Sequence, residues 1–208
     1  MVGGRRADRE FRLPRIESCE RFADNFRRAR GLAAGGTRLR ALAPGAKMPA
    51  KRWPAERFAE CVRVLLAERP ELVCIVFGDR SDAALGAAIE AAAPGRVVNI
   101  AGTVSVMESA ALLRRCHAFI GNDTGTMHLA AMAGCPGVAL FSSRDYPGRW
   151  EPAGAPMEVL RSPIDCEGCM LIECRQRDNE CLKRIAPVAV IERSRRMLDR
   201  KGAPPCEM

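Results

Sequence analysis

The segment GNDTGTMH, residues 121–128, gathers a carboxylate, a hydroxyl, a glycine and an imidazole within eight residues. Small residues follow it, in a pattern that predicts a helix over TGTMHLAAMAG. The free N–H groups and the dipole of a helix start favour an anion. Gly125 lets the backbone approach a ligand closely, and Thr124 adds a hydroxyl. His128 lies on the same helical face as Thr124, four residues away, although such a residue also serves as a satisfied core histidine. Asp123 has two readings. It caps the helix by accepting its orphan N–H groups, or it accepts hydrogen bonds from sugar hydroxyls beside a bound phosphate.

A second group that could do chemistry is CEGCMLIECRQRDNEC, which places Cys166, Cys169, Cys174 and Cys181 at x2, x4 and x6 spacings. Four thiols this close can form a tetrahedral zinc site. The second pair is wider than standard zinc spacing, so a thiol-rich loop packed on the terminal helix is the other reading. Ferredoxin spacing is missing. The remaining cysteines, Cys19, Cys61, Cys74, Cys116, Cys135 and Cys206, read as small apolar fillers of a reduced protein.

These residues need a scaffold, and the rhythm of the chain supplies one. The apolar runs RLRALA, ELVCIVFGD, RVVNI, HAFIGN and GVALF alternate with helical stretches of about three turns. Continuous apolar strands mean a sheet covered on both faces. Strand–helix alternation means a parallel, right-handed, doubly wound α/β sheet of Rossmann-like type. Ser105 and Glu108 fit a capping box for the helix that follows, and Ser81 or Asp82 is the expected cap of the helix after ELVCIVFGD. Ahead of the first strand, IESCERFADNFRRARGL reads as an amphipathic helix with Ile16, Phe22, Phe26 and Leu32 inward. Residues 142–182 read as loops and cysteines. PVAVIERSRRML reads as a closing helix.

The chain has 208 residues, 48% of them hydrophobic, which is enough for one α/β domain with extra pieces. A net charge of +8 favours anionic partners such as nucleotides or a membrane face. Few aromatics and the lack of zinc-finger or helix-turn-helix spacing argue against nucleic acid. No signal peptide and no apolar stretch of membrane-spanning length is visible, so a cytoplasmic location is expected, with peripheral contact at the inner face of the cytoplasmic membrane as an extension.

GNDTGTMHLAAMAGCPGVALF resembles the signature of glycosyltransferase family 9, the lipopolysaccharide heptosyltransferases. Asp123, Thr124, Gly125, His128, Leu129, Ala130, Gly134 and Pro136 match its D-[ST]-G-x-x-H-L-A-x-A-x-G-x-P pattern, and Met132 departs at a packing position. APGAKMPAKRWPAERFAE is similar to the family's first donor-domain strand and helix, through Pro44, Gly45, Ala46, Lys51, Trp53, Pro54, Arg57, Phe58 and Ala59. VFGDRSD and NIAGTVSVMESAALLRRC resemble two further segments, in the family's order.

The resemblance implies the second, donor-binding domain of a two-domain GT-B glycosyltransferase. Residues 1–38 would be an inter-domain segment and 39–208 the nucleotide-sugar-binding domain. It implies ADP-heptose as donor and the lipopolysaccharide core as acceptor. Lys51 would neutralise the diphosphate and stabilise the leaving nucleotide, so no metal would be needed for transfer. Gly45 belongs to the same donor-binding loop. Thr124 and Gly125 would hold phosphate oxygens, with Asp123 and His128 at the sugar or phosphate edge. Asp79 would lie near the ribose, or cap a turn. Residues 104–107 would line the adenine pocket, with Val106 or Met107 against the base. The family's first domain carries the acceptor and the proposed general base. No base is identified in this chain, and nothing places Asp8 or Glu10. The alternative is therefore a module that binds nucleotide sugar without turnover and lacks the acceptor domain.

Overall fold

The computed structural model describes residues 13–199. Its centre is a sheet in the order β3-β2-β1-β4-β5-β6, with every neighbouring pair parallel. The strands are β1 (Arg38–Ala43), β2 (Leu72–Val76), β3 (Val97–Asn99), β4 (Ala118–Asn122), β5 (Gly137–Phe141) and β6 (Met157–Arg161). Between and around them lie α1 (Glu17–Ala29), α2 (Ala55–Glu68), α3 (Ala83–Ala91), α4 (Val106–Leu113), α5 (Gly125–Met132), α6 (Glu180–Lys183) and α7 (Pro187–Asp199). The strand order reverses between β1 and β4, and at such a switch point a doubly wound sheet opens a crevice at its carboxyl edge.

Strand alternation sends side chains to two separate cores. Leu42, Val76, Ile120 and Leu140 face α2 and α7, around Phe58, Leu65 and Val190. Leu39, Ala41, Phe119 and Ala139 face the other side, with Ala23, Leu112 and Met127. Two covered faces explain why the strands read as unbroken apolar runs.

The exception is Arg40, fully buried on β1. Its guanidinium donates to Ser194 Oγ and, at 3.3 Å, to the Ser194 carbonyl of α7. Burial pushes its pKa down to about 10. Arg38 reaches the Leu198 carbonyl at 3.0 Å near the end of the same helix, where free carbonyls attract a cation.

The N-terminal helix α1 is packed on α4. Arg114 pairs with Glu20 at 2.6 Å, and Arg115 with Glu20 and, at 3.0 Å, with Asp24. Ala23 is its buried residue, Phe22 and Phe26 are partly buried, and Leu32 beyond its end is buried. Ile16 is exposed, contrary to the expected inward face, because the helix begins only at Glu17.

Two further expectations change, the second in part. Residues 142–182 are not loop throughout: β6 pairs with β5 as an edge strand, and its half-buried, mixed residues gave no apolar run to read. Asp82 stands at the N-cap position of α3, as expected, but its side chain makes no capping bond to that helix. A 3-10 turn, Arg80–Asp82, precedes the helix, and Asp79 caps that turn. The capping box of Ser105 and Glu108 on α4 is formed. Asp8, Glu10 and Cys206 lie outside the described residues.

Candidate functional site

The sequence-predicted residues collect at one edge because each follows the carboxyl end of a parallel strand. Gly45 follows β1, Asp79 follows β2, Val106 opens the helix after β3, and Asp123 to Gly125 follow β4. Lys51 ends a 3-10 turn, Pro49–Lys51, in the loop after β1.

Asn122 fastens that loop. It is fully buried at the end of β4, donates to the Pro44 carbonyl at 2.7 Å and accepts the Trp53 N–H at 3.2 Å. Trp53 is buried against Phe58 with ring centroids 5.0 Å apart, and its indole N–H reaches the Ile185 carbonyl at 3.1 Å. The backbone on either side of Lys51 is therefore anchored before its side chain is placed.

The Lys51 ammonium lies 2.5 Å from Asp123 Oδ2 and 3.5 Å from Asp145 Oδ2. Asp145 also takes Arg144 Nη1 at 2.5 Å. Both carboxylates are buried. Two cations and two carboxylates cancel, so the cluster is neutral as it stands. Low solvent exposure strengthens each attraction relative to water.

Asp123 therefore does not cap α5. The N-cap residue is Thr124, in extended backbone, and it makes no side-chain capping bond. Lys51 is the stronger partner for a buried carboxylate. Thr124 Oγ1 is itself buried and has no hydrogen-bond partner among the described residues. An unpaired buried hydroxyl costs about 1–3 kcal/mol, which a ligand oxygen at the helix start would relieve. Gly125 faces open space, with nothing within 4 Å of where a β-carbon would stand. No neighbour among the described residues demands glycine there, and an incoming group can reach the backbone. His128 is half-buried, and burial lowers its pKa; Asp123 opposes the shift and Lys51 adds to it.

Three predicted residues stand further from this cluster's chemistry. Asp79 is exposed and accepts from Ser81 N at 2.7 Å and Ser81 Oγ at 2.6 Å, which lowers its pKa and fits the capping reading. Gly45 is buried, and a β-carbon there would collide with the Asp82 carboxylate. Val106 is 68% exposed in the first turn of α4. Cys166, Cys169, Cys174 and Cys181 line one small cavity together with Ala50, Ser143 and Arg144, and are free thiols. Among the described residues, no three Cys, His, Asp or Glu side chains are placed to hold a metal as they stand.

Sequence reasoning missed Asp145 and Arg144. The available signal was position: the loop that follows the carboxyl end of a buried parallel strand, here β5, belongs to the binding edge. It was overlooked because residues 142–182 read as irregular.

Comparisons with known proteins bear on the family and the fold. Residues 11–179 match the family model described as glycosyltransferase family 9 (heptosyltransferase). Lipooligosaccharide heptosyltransferase 2 of Haemophilus influenzae is 32% identical over 142 residues, covering 66% of this chain and 39% of the relative. Lipopolysaccharide heptosyltransferase 2 of Salmonella typhimurium is 31% identical over 166 residues, covering 76% and 46%. The structure of Escherichia coli ADP-heptose lps heptosyltransferase II superposes with a TM-score of 0.72 at 26% identity, over 92% of this chain and 54% of that one. A family 9 glycosyltransferase from Veillonella parvula gives 0.75 at 25% identity, over 91% and 54%. The chain thus spans about half the length, or less, of these relatives. On the motif order, the doubly wound sheet and the family match over most of its length, the chain belongs to glycosyltransferase family 9.

Proposed function

We propose that this chain is the donor-binding part of a heptosyltransferase, holding ADP-heptose for transfer of heptose to a lipopolysaccharide core acceptor. The observation that carries the reading is the Lys51–Asp123 pair at the start of α5, bridging the loop after β1 and the end of β4. The relatives' names support the donor and acceptor classes.

In this reading the diphosphate sits against the first turn of α5. The free N–H groups there and the Thr124 hydroxyl take its oxygens. The ammonium of Lys51 leaves Asp123 for the more highly charged phosphate, and Asp123 then accepts from hydroxyls of the donor. As the bond between the sugar carbon and the phosphate oxygen breaks, negative charge grows on the departing ADP. A fixed cation at that point favours the transition state over the ground state. Asp145, itself paired with Arg144, holds Lys51 in reach of both positions. His128, kept neutral by burial, is a hydrogen-bonding group rather than a second cation.

The described residues carry no group assigned as the acceptor-side base, and the chain matches only part of each relative. A second reading is nucleotide-sugar binding by these residues without turnover. The net charge of +8 supports peripheral contact with an anionic membrane face.

Calorimetric titration with ADP and ADP-heptose tests the site. Saturable binding by the wild-type chain, weakened in Lys51→Ala and Asp123→Ala, is expected. Wild-type protein that is folded and binds neither ligand would overturn the reading. A transfer assay with a core acceptor separates the two readings.

A further inference from the structure

We propose that Cys166, Cys169, Cys174 and Cys181 form a tetrathiolate site for a thiophilic divalent cation of the zinc class, and that the ion braces the loops carrying Lys51 and Asp145. All four thiols are free and line the same cavity. They come from three places: the turn after β6, the loop beyond it, and α6. Soft thiolate sets select zinc over the hard cations.

Other features of the cavity agree. Cys181 Sγ already accepts the Ser143 backbone N–H at 3.5 Å, a bond that suits an electron-rich sulfur. Arg144 and Arg177 stand in the wall. Four thiolates around a divalent cation carry two net negative charges, which these guanidinium groups complement only in part, since Arg144 already pairs with Asp145 and Arg177 with Asp165. Asn179 Oδ1, in the same wall, is buried without a hydrogen-bond partner among the described residues. The loop is also strained. Met170, Asp178 and Asn179 are non-glycine residues with φ of 56°, 44° and 53°. Such backbone persists where the surroundings over-determine it, and it clusters at functional sites. The thiols do not yet stand as a ligand set. Each must turn into the cavity as the ion enters, giving its proton to solvent as the metal–sulfur bond forms.

The consequence for the donor site follows from the hydrogen bonds of this loop. The Ala50 N–H donates to the Ile172 carbonyl at 3.0 Å, and Asn179 Nδ2 donates to the Pro49 carbonyl at 2.9 Å. Both bonds hold the turn that ends in Lys51. Arg144 Nε donates to the Leu171 carbonyl at 2.8 Å and Nη2 to the Met170 carbonyl at 2.9 Å. The Gly168 N–H donates to the Ser143 carbonyl at 2.8 Å. An ion gripping the four cysteines would therefore stiffen both walls of the charge cluster.

The experiment uses the full chain, kept reduced, stripped with chelator and titrated with Zn2+ or Co2+ alone. One equivalent of Zn2+ per chain is expected, with a raised melting temperature and loss of thiol reactivity at the four cysteines. Co2+ should give thiolate charge-transfer and tetrahedral ligand-field bands, lost in C166S/C169S. If the folded wild-type chain takes up no Zn2+, gives no Co2+–thiolate band and keeps four equally reactive thiols, the proposal is overturned. The brace, though not the metal site, rests on the nucleotide reading, and ADP titration with and without Zn2+ keeps the two apart. Zinc uptake without ADP binding upholds the site and counts against the nucleotide reading. ADP binding without zinc uptake does the reverse.

Discussion

Lys51 Nζ stands 2.5 Å from Asp123 Oδ2 and 3.5 Å from Asp145 Oδ2, so one ammonium ties together the loops that follow β1, β4 and β5. The residues involved are 72 and 94 positions apart in the chain, counted from Lys51. The pairing places opposite charges at the point where the strand order reverses.

Asp145 is expected to position Lys51 and not merely to fill space. Asp145→Asn keeps the shape and removes the charge, leaving Arg144 without its paired carboxylate and Lys51 with Asp123 alone. Breaking such a group by removing one partner costs about 3 kcal/mol. Urea unfolding should show a lower midpoint, and ADP titration an altered affinity. Unchanged values in both would remove Asp145 from the site.

Asn122 offers a test of the loop anchor. Asn122→Ala leaves the Pro44 carbonyl and the Trp53 N–H unpaired in a buried place. The expected loss is roughly 2 kcal/mol or more, at about 1–3 kcal/mol for each orphaned group. Trp53 is one of two tryptophans, so its fluorescence reports whether the loop has loosened. A spectrum and midpoint equal to wild type would show that packing alone holds the turn.

Arg40 is a buried cation with hydrogen bonds to Ser194 but no carboxylate partner among the described residues. Its desolvation is a cost that an apolar side chain avoids. The double variant Arg40→Met, Ser194→Ala removes the charge and the hydroxyl together. It should unfold at equal or higher denaturant, by up to about 1–4 kcal/mol of added stability. A loss of several kcal/mol would show that the two Ser194 bonds outweigh the burial of the charge.

Both histidines have folded-state pKa values below the ordinary 6.5, and in each the leading cause is burial. In the unfolded chain they take up protons near pH 6.5, while the folded state resists doing so. The unfolded state therefore binds more protons, and stability rises with pH in that range. The contribution is fully present above about pH 6.5 and is lost as pH falls through the folded values. Denaturant midpoints at stepped pH should decline on the acid side, and His128→Gln should flatten the decline. A slope that is the same in the variant would assign the effect to His117.

Much of the fold was legible in the sequence because its signals are local. Runs such as LVCIV and GVALF are buried on both faces, so they show as unbroken apolar stretches, and the helices between them carry caps and breakers. β6 was not legible, since an edge strand is half-buried and its pattern MEVLR is mixed. The choice between the two readings of Asp123 was not legible either. Capping preference favours Asp123, but a lysine distant in the chain competes for its carboxylate.

The sequence by itself determined the α/β class, the strand ends where binding residues cluster, the family likeness, and the thiol spacing of residues 166–181. The tertiary structure decided who pairs with whom. It set Asp123 against Lys51 rather than the helix N–H groups, brought in Asp145 and Arg144, and joined the cysteine loop to the turn carrying Lys51. The reason is physical: periodicity and capping act within a few residues, whereas a buried charge settles with whichever opposite charge the folded chain brings within reach.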